Sequence, residues 1–301
     1  MFLENKTGTD VGKNWRRGFI GAGAGLASGM DKSEWAGRVG DVWAEEQRRT
    51  DRTFEPVDDA LVTAAVTAVD GIAAPRILDI GCGAGTTSFS LAARLPHAGI
   101  TGVDLSPALA RAATARAADE PRCRFEQGDA TLWAGGRDFD LLVSRHGVMF
   151  FDDPVAAFYH LRTLAKEGGR LAFSCFRSAK ENVWASALAH LMPGGPADPH
   201  APGPFAFADR DRVAGILAEA GWRDAKATSL DFGYVAGAGD DPVGDANDFF
   251  KRVGPVSRAI RELDEAGSER LRTALDEQVR AHHENGVVRF PAAAWIWEAR
   301  A

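Results

Sequence analysis

The pattern of apolar positions along the chain alternates between short strand-like runs and helical periods. Strand-like runs are predicted at 76–80, 100–104, 123–127, 139–144, 170–173, 225–230 and 287–297. Helix-like stretches with polar faces lie between them, at 108–118, 154–165, 182–191 and 209–220. Strands and helices that alternate in this order are typical of an α/β fold with a mostly parallel sheet.

Two further groups of helical periods flank this alternation. At 31–49 the apolar positions include Trp35 and Trp43 on one face, and a second helix is predicted at 57–69, after Pro56. Three helix-like stretches separate the last two strands, where a hairpin would need only a few residues. We therefore expect five segments, which are a leader at 1–29, cap helices at 30–70, a core at 71–230, a helical lid at 231–286 and a last core strand at 287–301.

The first strand-like run ends on three alternating glycines, Gly81, Gly83 and Gly85. Glycines in such a turn allow positive φ angles and let backbone N–H groups approach a ligand. A dinucleotide fingerprint would need glycine or alanine where Thr86 stands, and a phosphate loop would need a lysine, which is absent between Arg76 and Arg94. The loop therefore favours a nucleoside ligand without phosphates over a nicotinamide dinucleotide or ATP.

A carboxylate ends the second strand-like run. Asp104 lies 19 residues after Gly85 and can accept hydrogen bonds from both hydroxyls of a ribose. Ser106 and Pro107 follow it as a predicted N-cap and first helical residue. A third acid, Asp129, comes after the third run in a Gly-Asp-Ala turn.

Taken in order, these motifs closely resemble those of class I S-adenosylmethionine-dependent methyltransferases, including the small-molecule enzymes of quinone biosynthesis. The resemblance implies a doubly wound, seven-stranded, mostly parallel Rossmann-like sheet, in which an antiparallel strand seven lies between strands five and six. It implies S-adenosylmethionine as cofactor and S-adenosylhomocysteine as product, with Asp129 at the adenine amino group. The implied cofactor contacts are Asp79, Gly81, Cys82, Gly83, Gly85, Asp104, Leu105, Asp129, Ala130 and Arg145.

The predicted reaction is methyl transfer to a small, apolar or aromatic acceptor, with O-methylation favoured. The acceptor contacts are expected from Trp35, Trp43, Met149, Phe249 and Phe250, although the tryptophans and phenylalanines are also suited to core packing. His146 follows strand four and is the candidate catalytic base for a hydroxyl acceptor, whereas a carboxylate or thiolate acceptor needs no base.

Other functions fit parts of the same pattern. The alternatives are C-methylation of a quinone-like ring, a protein that binds the cofactor without catalysis, and an oxidoreductase that Thr86 disfavours.

Composition limits which compartment and which partners are expected for this chain. The 301 residues are 45% hydrophobic and carry a net charge of −7, and no window of eighteen apolar residues occurs. We therefore expect a cytoplasmic enzyme without a membrane span, a metal or a nucleic-acid partner, which acts on a small molecule and has a homodimer as a possible assembly. Cys82, Cys123 and Cys175 are interpreted as small buried hydrophobes.

Residues 1–29 differ in composition from the rest. Arg16 and Arg17 precede a glycine-rich apolar stretch, which resembles a twin-arginine export signal. A leader that is poorly ordered is the preferred interpretation, because the methyl donor is made in the cytoplasm.

Overall fold

In the computed structural model, one mixed sheet of eight strands organises the residues that are described, which are 32–193 and 198–301. The leader predicted at 1–29 lies outside these residues. The strands are β1 (Arg76–Ile80), β2 (Gly99–Asp104), β3 (Cys123–Gln127), β4 (Phe139–Arg145), β5 (Ala165–Phe176), β6 (Arg223–Gly237), β7 (His283–Glu284) and β8 (Val287–Arg300).

The sheet confirms the predicted fold class. Its strand order is β3-β2-β1-β4-β5-β8-β6, and the two-residue β7 pairs only with β8 among the described strands. The first five strands in this order are parallel, whereas β8 is antiparallel to both β5 and β6. The order in which strands are added to the sheet reverses between β1 and β4, and open α/β sheets bind ligands in the crevice at such a point.

Eleven α-helices surround the sheet in the part of the chain that is described. They are α1 (Lys32–Ala36), α2 (Arg38–Glu45), α3 (Gln47–Ala68), α4 (Thr86–Arg94), α5 (Pro107–Arg116), α6 (Pro154–Leu164), α7 (Val183–Ser186), α8 (Arg210–Glu219), α9 (Pro242–Arg252), α10 (Gly254–Glu262) and α11 (Glu265–Ala281). Within 32–193 and 198–301, none of the helices has the length and apolarity needed to cross a membrane, and no group of three His, Cys, Asp or Glu side chains is placed to hold a metal ion.

The prediction that a helix starts after Pro56 is wrong. Helix α3 begins ten residues earlier, at Gln47, and continues through Pro56. Proline removes one helical N–H, but Phe54, Val57 and Leu61 are buried on the same face, and this burial outweighs the lost hydrogen bond. Because α3 packs on β4, β5, β6 and β8, it belongs to the core layers, and the cap is formed by α1 and α2, of which α2 packs on α5.

Other element boundaries also differ from the predictions. The helix expected at 31–49 is divided at Gly37, whose φ of −121° and ψ of −132° are not helical. The stretch at 182–191 divides into α7 and a 3₁₀ turn at Ala189–Leu191. Strand β6 continues to Gly237, beyond the predicted end at 230, because it pairs with β8 along its length. The lid helices α9 to α11 therefore begin after this strand.

Candidate active site

A cavity of about 1340 Å³ opens over the carboxyl ends of β1, β2 and β4. Sites for one small ligand commonly occupy roughly 300 to 1000 Å³. The cavity is thus large enough for two ligands side by side. Its lining comes from the cap helices, from α3, from the strand ends, from the loop at 198–208 and from α10.

Nine of the ten predicted cofactor residues line this cavity. They are Asp79, Gly81, Cys82, Gly83, Asp104, Leu105, Asp129, Ala130 and Arg145. Gly85 is not among the lining residues, and its φ of +85° places it as the left-handed residue before α4. A Cβ at Gly85 would lie 2.7 Å from the Phe125 ring, so this glycine is required by packing.

Asp104 joins the glycine loop to the end of β2. Its Oδ2 accepts from the N–H of Gly83 and its Oδ1 from the N–H of Ser106, each at 2.8 Å. Burial raises the pKa of this carboxyl, and the two backbone hydrogen bonds oppose the rise. Each oxygen keeps one lone pair, so the carboxylate can hold the loop and still accept from a ribose.

Asp79 and Arg145 each present a buried polar atom without a partner among the described residues. Oδ2 of Asp79 accepts from Ser88 Oγ at 2.7 Å, but Oδ1 accepts no hydrogen bond. Burial raises the pKa of Asp79 to about 7. Nη2 of Arg145 lies 3.3 Å from Oδ1 of Asp51, and its Nε lies 3.8 Å from Oδ1 of Asp58. Its Nη1 has no partner among the described residues. Asp79 thus offers an unpaired acceptor that suits an ammonium group, and Arg145 offers an unpaired donor that suits a carboxylate. An amino-acid group carries both.

Asp129 is tied to the cap. Its Oδ2 accepts from Lys32 Nζ at 2.9 Å, and its Oδ1 accepts from the N–H and hydroxyl of Thr131. Burial acts to raise the pKa of Asp129, but the hydrogen bonds from Lys32 and Thr131 hold it below its ordinary value. Helix α1 is thereby fixed over the predicted adenine end of the cavity.

Three of the five predicted acceptor residues also line the cavity. Trp35, Trp43 and Met149 are there, and the Trp35 ring lies 5.0 Å from Phe150 and 5.8 Å from Trp43. Phe249 and Phe250 are buried within the lid and are not among the lining residues.

Aromatic residues that the sequence analysis did not select complete this wall. Phe54, Phe176, Trp184, Phe205 and Tyr234 all line the cavity, from α3, β5, α7, the 198–208 loop and β6. They contact one another, with ring centroids 5.1 to 5.9 Å apart. No local pattern marks these residues, because each belongs to a different element and they meet only in the folded chain.

His146 follows the end of β4 and packs against two aromatic rings. It has a φ of +60°, its ring stacks on Phe176 at 4.3 Å, and Phe54 meets it edge-on at 5.1 Å. Its Nδ1 lies 3.2 Å from Ser174 Oγ, and its Nε2 has no partner among the described residues. Burial lowers the pKa of His146 to about 3, so the imidazole is neutral near pH 7 and a weak proton acceptor.

Comparison with known proteins covers part of this site. A family model described as a methyltransferase domain matches residues 77–169, the segment from β1 into β5. A malonyl-[acyl-carrier protein] O-methyltransferase of a Paenibacillus species is 36% identical over 107 residues, which are 34% of this chain and 39% of that protein. A trans-aconitate 2-methyltransferase of Methylobacterium radiotolerans is 37% identical over 100 residues, 33% of this chain and 37% of that protein.

The likeness in fold extends further than the likeness in sequence. The chain spans only about two fifths of the length of these curated relatives. The crystal structure of the YcgJ protein from Bacillus subtilis superposes with a TM-score of 0.53 at 18% identity, over 80% of this chain and 98% of that one. The family match therefore covers the strands around the glycine loop, while the likeness in fold extends over 80% of the chain.

Proposed function

We propose that the chain is a class I S-adenosylmethionine-dependent methyltransferase, as its match to a methyltransferase domain over residues 77–169 indicates, and that it methylates an oxygen of a small, largely apolar or aromatic acceptor. One observation carries the proposal. A single cavity joins the glycine loop and its three acids to an aromatic wall, and its volume exceeds what one ligand needs. A cytoplasmic setting and a possible homodimer belong to the same proposal.

The cofactor supplies a methyl group on a sulfonium, so that transfer forms a bond from the acceptor to carbon and leaves the electron pair of the broken C–S bond on sulfur. Asp79 and Arg145 would hold the charged amino-acid end, through their unpartnered Oδ1 and Nη1. Asp104 would accept from the ribose and Asp129 from the adenine amino group. These residues would hold the cofactor in one orientation beside the acceptor, and orientation is the main requirement of such a displacement.

The acceptor end would exclude water from this step. Trp35, Met149 and the rings around Phe176 give it an apolar wall that a flat or greasy molecule would cover. An oxygen acceptor agrees with the Nε1–H of Trp35, which has no partner among the described residues, and one relative is by name an O-methyltransferase.

The test is methyl transfer by the purified protein from S-adenosylmethionine labelled with deuterium on the methyl group. Aromatic and aliphatic acids, phenols and quinones are offered separately, and mass spectrometry detects the label. We expect labelled product with an oxygen acceptor, and far less with Asp104→Ala. Deuterium NMR distinguishes a labelled methyl on oxygen from one on carbon, so a labelled C-methyl group on a quinone ring would replace the proposal. Cofactor binding without label in any compound would favour a non-catalytic protein.

A further inference from the structure

We propose that Ser174 holds His146 as the Nε2–H tautomer, so that His146 is a neutral hydrogen-bond donor to a carboxylate acceptor. This inference rests on the proposed function and deepens it, because it names the acceptor class and a positioning residue. It also gives His146 a different role from the base expected from sequence.

The tautomer follows from the two contacts of the Ser174 hydroxyl. Ser174 lies on β5 and is fully buried. The backbone N–H of His146 is shared between the carbonyl and the Oγ of Ser174, each at 3.2 Å, and this Oγ also lies 3.2 Å from Nδ1 of His146. A backbone N–H can only donate, so the serine oxygen is the acceptor there and its own proton is free for Nδ1. A ring nitrogen that accepts carries no proton, which leaves the imidazole proton on Nε2.

The opposite tautomer would leave a second polar group without a hydrogen bond. If Nδ1 donated to Ser174, the serine proton would have no acceptor among the described residues, and the bare Nε2 would have no donor. Unmade hydrogen bonds in a buried place cost free energy, so the arrangement with one unmet group is favoured over the arrangement with two. That one unmet group is the Nε2–H.

The ring cannot easily turn away from this arrangement. Phe176 stacks on it and Phe54 meets its edge, while the left-handed backbone at His146 fixes where the side chain begins. A non-glycine residue in this region is strained, and such strain is often found at functional sites. His146 lines the cavity, so a ligand in the cavity is the candidate partner for its Nε2–H.

A carboxylate suits this donor better than a hydroxyl does. A hydroxyl must lose a proton as its oxygen attacks carbon, and a deeply buried imidazole with a lowered pKa is a poor place for that proton. A carboxylate already carries the electron pair: one oxygen forms the O–CH₃ bond as the C–S bond breaks, and the other can accept from Nε2–H. No proton moves, and the products are a methyl ester and S-adenosylhomocysteine.

The tautomer can be observed without any assay of activity. In protein labelled with ¹⁵N at histidine, long-range ¹H–¹⁵N spectra distinguish the two neutral tautomers, and His146→Phe identifies the signal among the seven histidines. We expect the Nε2–H form in the wild type. Ser174→Ala should introduce the Nδ1–H form, whereas Ser144→Ala should not, because the equally buried Ser144 donates to the Ile80 carbonyl and not to the ring. A wild-type Nδ1–H form overturns the proposal.

The acceptor class is tested by binding. Benzoate is titrated calorimetrically into protein saturated with S-adenosylhomocysteine, and benzyl alcohol is the uncharged control. Benzoate should bind more tightly and shift the Nε2–H signal, His146→Phe should weaken its binding about tenfold or more, and His146→Gln should keep most of it, since glutamine retains an N–H. Tighter binding of the alcohol, no benzoate binding, or equal losses in the two variants would overturn the carboxylate assignment. These readouts stand even if no methyl transfer is ever detected, so failure of the proposed function would be recognised separately.

Discussion

The two ends of the cavity are built in different ways. The centre of the predicted cofactor end is formed by β1, α4 and β2, where Asp104 accepts hydrogen bonds from the backbone N–H groups of Gly83 and Ser106, and Asp129 and Arg145 are added from the ends of β3 and β4. The acceptor end is assembled from α1 to α3, β5, α7 and β6, whose contacts are mainly between aromatic rings. One end depends on local backbone geometry and the other on tertiary packing. Sequence motifs can therefore report the first end directly, and the second only after the chain has folded.

The largest expected difference between the two ends is in how acid affects stability. His146, at the acceptor end, has a pKa lowered to about 3 from 6.5, so the unfolded state binds more protons and the free energy of unfolding falls on acidification. Asp79, at the cofactor end, has a pKa raised to about 7 from 3.8, so the folded state binds more protons and the free energy of unfolding rises on acidification. In the wild type these two contributions oppose each other between about pH 4 and 6.5.

Removing either titratable group should reveal the contribution of the other to the pH dependence of stability. When the pH falls from 6.5 to 4.5, we expect the free energy of unfolding of Asp79→Asn to fall by about 2.4 kcal/mol relative to wild type, and that of His146→Gln to rise by a similar amount. Urea unfolding of the three proteins at both pH values measures this. Parallel pH profiles in all three would show that neither group is perturbed in the way described.

Asp104→Ala tests the cofactor end. The substitution removes a charged acceptor from the predicted ribose site and should weaken S-adenosylmethionine binding by about 1.5 to 3 kcal/mol, at least tenfold. Because Gly83 and Ser106 also lose their acceptor, some of the loss will come through the loop. Asp104→Asn, which keeps one carbonyl oxygen, should fall between alanine and wild type in calorimetry. Wild-type affinity in the alanine variant would contradict the assignment.

Gly40→Ala tests how closely the cap must approach. A Cβ at Gly40 would lie 2.1 Å from Ser106 Oγ and 2.4 Å from the Trp35 carbonyl, so α2 would have to move away from the start of α5. We expect a loss of about 1 to 3 kcal/mol in the free energy of unfolding and altered tryptophan fluorescence. Gly37→Ala is the matched control, because the nearest atom to its Cβ lies at 3.4 Å. Equal effects in both variants would mean that the close approach is unimportant.

The smallest effect is expected at the ion pair between Lys32 and Asp129. Lys32→Ala removes the ion pair between α1 and Asp129, which is partly exposed, so its contribution should be no more than about 1 kcal/mol. Thermal unfolding and cofactor affinity should both change little, and the change should decrease further at high salt. A tenfold loss of cofactor affinity would instead show that the cap controls the adenine end.

The success of the predictions from sequence also differs between the two ends of the cavity. The glycine loop, Asp104 and the position of β8 between β5 and β6 were predicted, because turn chemistry and the family resemblance act over short stretches or known order. The start of α3 was not, since burial of Phe54 and its neighbours overrides the usual effect of Pro56. Ser174 could not be selected at all. A serine inside an apolar strand has no signature until β4 brings His146 beside it.

The place of β8 in the sheet has a consequence for synthesis. Strand β6 pairs only with β8 among the described strands, and β8 is also the second neighbour of β5. A ribosome completes β6 and the three lid helices before Val287 is added. During that interval a nascent chain carries two long strands with open hydrogen-bonding edges, which is the state most prone to association with other chains. The strand that closes the fold is therefore also the one whose delay would expose the growing polypeptide to aggregation.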